Sequence, residues 1–63
     1  MKLKIEITMD NAAFEDGEGN GAESARILER LAKEINDYTL HPGPGGDLRD
    51  INGNKVGTWK VTR

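Results

Sequence analysis

Between Lys2 and Met9 the chain alternates without a fault: Leu3, Ile5, Ile7 and Met9 fall on one side, Lys2, Lys4, Glu6 and Thr8 on the other. A period of two specifies a strand with one face turned to a core. Such a strand needs partner strands for its backbone and a second layer for its apolar face. The rest of the sequence has to supply both.

The layer comes from Ala22 to Tyr38, where Ala25, Leu28, Leu31, Ala32, Ile35 and Tyr38 recur at three- and four-residue spacings. That periodicity predicts one helix with a single apolar stripe. Its other face is charged, with Glu29–Lys33 and Arg30–Glu34 spaced for i,i+4 pairing, each pair contributing about 0.2–0.5 kcal/mol. Glu23 falls in the first turn, where the helix dipole favours an acid. His41-Pro42-Gly43-Pro44-Gly45-Gly46 cannot be helical and ends the element.

The partner strands come from Asp47 to Arg63. Asn52-Gly53 between two strand-like runs is a strong hairpin signal, because both residues tolerate positive φ. A two-residue loop there sets Asp50 opposite Lys55 and Arg49 opposite Val56. Leu48, Trp59 and Val61 then share one face, and Ile51, Val56 and Thr58 the other. Asp10 to Gly21 is read as a connecting loop in which Ala12, Ala13 and Phe14 form a turn that tucks Phe14 onto the core. The expected order is β-α-β-β: an α+β fold with a three-stranded sheet, one helix packed on one face, and residues 1–63 as a single domain.

A chain of 63 residues with no cysteine and one histidine has neither disulfides nor thiolate metal sites to stabilise a small core. Oligomerisation is the remaining staple. A homodimer through the sheet would cover its second face and an exposed edge, and a polar, solvated second face is the alternative. No apolar run approaches the roughly 20 residues of a membrane span, and no signal-peptide core is evident. The expected location is therefore cytoplasmic. A net charge of −2 disfavours non-specific nucleic-acid binding.

That charge is unevenly placed. Asp10 to Glu23 holds five acids and no base, whereas Asp47 to Arg63 holds four bases against two acids. Asp16 to Gly21 spaces its oxygen donors like the first half of a calcium loop, but the twelfth position, which should carry a bidentate carboxylate, is Ile27. Glycines at 17, 19 and 21 ahead of a helix suggest a phosphate cradle, yet no lysine occurs between Lys4 and Lys33 and the neighbouring acids repel phosphate. Neither metal nor cofactor is expected. No nucleophile lies in a setting that would activate it, and Ser24 sits where hydroxyls serve helix starts, so the reading is a binding protein and not an enzyme.

Two sets of residues are candidates for binding. Glu15, Asp16, Glu18 and Glu23 form an acidic surface able to occupy a partner's basic groove. His41, Arg49, Lys55, Trp59 and Lys60 could hold a small anionic ligand, the cations on phosphate and the indole on a base. Trp59 is expected in the core, with an outward interface position as the alternative.

The opening Met1-Lys2-Leu3-Lys4-Ile5-Glu6-Ile7 through Asp10-Asn11-Ala12-Ala13-Phe14, the helix Ala25-Arg26-Ile27-Leu28-Glu29-Arg30-Leu31-Ala32 and the ending Leu48-Arg49-Asp50-Ile51-Asn52-Gly53-Asn54-Lys55-Val56-Gly57 resemble a group of short bacteriophage and prophage proteins. The resemblance covers most of the chain and its motifs are structural. It implies a bacterial cytoplasmic setting, in which small phage proteins inhibit host defence. They do so by blocking a defence protein, as anti-CRISPR proteins do, or as an oligomer that sequesters a cyclic-nucleotide signal. A structural or regulatory accessory role is the third possibility.

Overall fold

The computed structural model describes residues 1–15, 19–37 and 39–63. Five elements follow in order: β1 (Lys2–Ile7), α1 (Ala12–Glu15), α2 (Asn20–Ile35), β2 (Gly45–Arg49) and β3 (Lys55–Thr62). The strands form one antiparallel sheet in the order β1-β3-β2, with the C-terminal strand in the centre. The expected α+β architecture is present, with α1 as a short additional helix. Among the described residues no helix is long and apolar enough to cross a membrane.

The core consists of Phe14, Ile27, Leu31, Leu48, Val56, Trp59 and Val61, with Ile7, Ala13, Ile35 and Leu40 partly buried against it. Phe14 is turned inward from α1, as the Ala-Ala-Phe segment predicts. Trp59 and Val61 take core positions on β3 and Leu48 joins them from β2, which is the face shared in the sequence reading.

Several expectations are corrected. Of the predicted α2 stripe Leu31 is buried and Ile35 packs against the core, whereas Ala25, Leu28 and Ala32 are exposed; the buried row is Glu23, Ile27 and Leu31. The helix is rotated so that a row at four-residue spacing, headed by an acid, meets the sheet. It begins two residues earlier than predicted and ends at Ile35; Tyr38 lies outside the described residues. The spacings Glu29–Lys33 and Arg30–Glu34 do not close into ion pairs. Among the described residues such pairs join Arg26 to Glu23, and Arg49 and Lys55 to Asp47.

The hairpin loop is also longer than two residues. Arg49, not Asp50, pairs with Lys55, and the turn runs from 50 to 54 with Gly53 at φ +85°. A register shift at Leu48/Arg49 inserts one extra residue, Val56, into β3. Such a bulge changes the phase of a strand. Val56 is therefore buried with Trp59 and Val61, whereas a regular ladder would turn it outward.

Candidate interaction surface

The end of the molecule at the hairpin turn is built on two buried carboxylates. Asp50 is only 3% exposed and Glu23 7%. Asp50 Oδ1 accepts from the backbone N–H of Asn52 at 2.9 Å and of Asn54 at 2.8 Å. Its Oδ2 accepts from the side-chain amides of Asn11 at 2.7 Å and Asn54 at 3.2 Å. Asn11 in turn accepts from Ala13 N–H at the start of α1, at 3.1 Å. Glu23 takes a bidentate pair from Arg26, both bonds 2.9 Å, and also accepts from Ile51 N–H at 2.8 Å. One network thus ties α1, the first turn of α2 and the hairpin turn together.

The electrostatics follow from those bonds. The Arg26 hydrogen bond, outweighing the cost of burial, holds the Glu23 carboxyl below its ordinary range, and the bond from Ile51 N–H adds to it. Burial pushes Asp50 upward, but the donors from Asn54, Asn11 and Asn52 overcome it and the net direction is down. Glu23 was a candidate for partner binding. Its lone pairs are instead spent inside the fold, which corrects that assignment. The sequence reading also missed Asp50 as an organiser; the signal was Asp50 followed by Asn52 and Asn54, side chains and amides that favour such turns.

The other acidic candidates separate. Glu15 is exposed at the end of α1, as is the neighbouring acid Asp10 before it. Asp16 and Glu18, with part of the calcium-like and glycine-rich stretch, lie outside the described residues.

The anionic-ligand candidates are not gathered into one site. His41 and Trp59 line a groove of about 590 Å³ with Leu40, Pro42, Pro44 and Glu34. Lys60 follows Trp59 on β3 and points to the opposite face of the sheet, exposed where Trp59 is buried. Arg49 and Lys55 stand at the turn end of that outer face, where both approach Asp47, at 3.7 and 3.4 Å. A cation-and-indole clamp of those five residues therefore does not form within one chain. The corrected picture is a basic outer sheet face (Lys2, Lys4, Arg49, Lys55 and Lys60, with Glu6 and Asp47) behind a core that contains Trp59.

A third surface was not foreseen. Leu3 and Ile5 pair with Val61 and Trp59, so their side chains lie on the helix side of the sheet. Yet Leu3 is 44% exposed and Ile5 41%, because α2 packs toward β2 and leaves β1 uncovered. Met9 and Leu28 extend the exposed apolar surface, at 47% and 43%. The Ser24 hydroxyl donates to the Met9 sulfur at 3.1 Å, which brings the first turn of α2 beside the segment that follows β1, and Leu28 lies one turn beyond Ser24. Asp10 follows Met9 directly and places an acid at the strip's end.

Comparison of the chain with protein families, curated proteins and solved structures found no match.

Proposed function

We propose that this chain is a non-catalytic protein-binding module that inhibits a partner by occupying its surface. The setting that suits it is that of a short phage protein acting on a bacterial defence protein. The observation that carries the reading is the uncovered strip of Leu3, Ile5, Met9 and Leu28 on a domain with so little core of its own. Contiguous exposed apolar surface rimmed by polar groups marks interaction sites. Protein interfaces have this anatomy, an apolar centre inside a charged rim.

The rim here is acidic where the strip ends at Asp10, with Glu15 exposed nearby in sequence on α1. A partner with an apolar patch beside basic residues is its complement, and the nucleic-acid groove of a defence protein supplies that chemistry. The buried carboxylates Glu23 and Asp50 support a structural use of the chain's best-placed acids, since both are saturated with donors from the fold.

The test is phage plaquing on bacterial strains that each carry one defence system, with and without the chain expressed. Relief of one system, lost in the Leu3→Thr/Leu28→Gln variant and weakened by Asp10→Asn/Glu15→Gln, is the expected result. Relief of none overturns the inhibitor reading. Full relief by the strip variant overturns the assignment of the surface.

A further inference from the structure

The open edge of β1 carries its own recognition code. Thr8 N–H donates to Val56 C=O at 2.8 Å, and that pair continues the register in which Glu6 faces Thr58 and Lys4 faces Lys60. In an antiparallel ladder the hydrogen-bonded positions recur every second residue. Lys2, Lys4 and Glu6 therefore turn their amides and carbonyls toward β3, and Leu3, Ile5 and Ile7 turn theirs to the open edge. No described strand pairs with that edge.

We propose that the occupant of this edge is a second copy of the chain, joined antiparallel about a two-fold axis through Ile5. This rests on reading the β1 flank as a protein-binding surface and names the partner of its edge. Charge selects among the registers whose axis falls between Leu3 and Glu6. With the axis at Ile5, Ile5 meets Ile5, Leu3 meets Ile7, Lys2 meets Thr8, and Lys4 meets Glu6 twice. Moving the axis to Lys4 opposes two lysines, moving it to Glu6 opposes two glutamates, and moving it to Leu3 sets Lys2 against Lys4 twice. Like charges directly opposite are destabilising and opposite charges favourable. Among these two-fold registers, the one at Ile5 alone pairs opposite charges without opposing like ones.

The product is a six-stranded sheet, β2-β3-β1-β1-β3-β2. A two-fold axis normal to the sheet leaves both α2 helices on the same side. Leu3, Ile5 and Ile7 of the two copies make the floor between them, bounded by the two Leu28 side chains. The interface is isologous and closes after two copies, so it blocks open-ended edge addition.

Sedimentation and native mass spectrometry of the purified chain over a concentration series test it. The expected species is a dimer. Lys4→Glu alone should weaken it roughly ten- to a hundredfold, because the substitution makes two pairs repulsive. Glu6→Lys alone should do the same. Lys4→Glu combined with Glu6→Lys should restore the dimer, since the swap regenerates both pairs in this register while still opposing like charges about Lys4 and Glu6. Adding Lys2→Gln, which removes the opposite-charge pairs the swap would create about Leu3, should leave the restored dimer intact. Ile5→Pro removes an amide that faces the open edge and not β3, so a folded monomer by circular dichroism is expected. A monomeric wild type overturns the proposal, and so does a charge swap that fails to restore association. The plaquing result is independent of both, so an inactive dimer refutes the inhibitor reading alone and an active monomer refutes the pairing alone.

Discussion

Along β2 the sheet is covered: α2 lies over it, Leu48 is buried, and its pairing with β3 is interrupted between Leu48 and Arg49 by the bulge at Val56. Along β1, on the far side of β3, the same inner face is open, with Leu3 and Ile5 exposed and the pairing uninterrupted for six residues. A single 16-residue helix cannot cover three strands, and the fold concentrates its burial on one flank. A bulge interrupts the ladder on one flank, whereas on the other the ladder is regular and the strand's inner face stays exposed. The contrast separates what holds the domain together from what is offered to partners.

The sharpest way to break this comparison is to truncate on both flanks and compare. Phe14→Ala, on the covered side, should cost about 3–5 kcal/mol, and Leu48→Ala about 2–5 kcal/mol. Either approaches the whole stability of a domain this small, so chemical denaturation should show little folded protein. Ile5→Ala should cost about 1 kcal/mol or less in the monomer, because the side chain is already half in water. Equal losses at Leu48 and Ile5 would mean that β1 is as well covered as β2.

A smaller effect is expected where the two flanks are joined. A Cβ built on Gly57 would collide with the Glu6 carbonyl oxygen, backbone against backbone. Gly57→Ala should therefore part β1 from β3 at a cost of about 1–3 kcal/mol. Hydrogen exchange should show the β1 amides of Lys4 and Glu6 losing protection before those of β2. Uniform loss across the sheet would argue that the strands open as one unit.

Acid gives a graded version of the same contrast. Glu23 and Asp50 have folded-state pKa values below their ordinary ones, so their stabilisation is fully present above the ordinary carboxylate range. It is lost as the pH falls through the depressed folded-state values. Thermal melts should be flat near neutrality and fall in acid, and Asp50→Asn should lower stability at neutral pH while reducing that acid dependence. A melt that does not respond to acid would remove these carboxylates from the account of stability. Least affected should be the stability of Leu3→Thr/Leu28→Gln, within about 0.5 kcal/mol per site, although this variant is expected to lose partner binding.

How much of this was legible depends on whether the cause was local. The alternation of Lys2 to Met9 located β1, and the Asn-Gly turn located the hairpin. Alternation shows that a strand has an apolar face, but not that the face will be covered, because that depends on where α2 lands. The row of α2 that meets the sheet was likewise set by a tertiary bond, Glu23 to Ile51. The bulge that buries Val56 leaves no periodic trace, since one inserted residue shifts the phase after it. Asp50 was read as a cross-strand partner for Lys55 when its neighbours Asn52 and Asn54 already favoured a turn. The binding candidates divided in the same way: Glu23 was consumed by the fold, Trp59 and Lys60 fell on opposite faces, and the apolar strip arose from what the helix failed to reach.

The bonds around Asp50 and Glu23 also tie distant parts of the chain together. They link Asn11 to Asp50 and Glu23 to Ile51, spanning 39 and 28 residues of sequence. The complete network around the hairpin turn therefore includes segments from the first half of the chain. An excised peptide of residues 45–63 would keep its Asn-Gly sequence but lack these partners. The turn thus combines local bonds within residues 50–54 with two that reach the first half of the chain, and only the latter join it to α1 and α2.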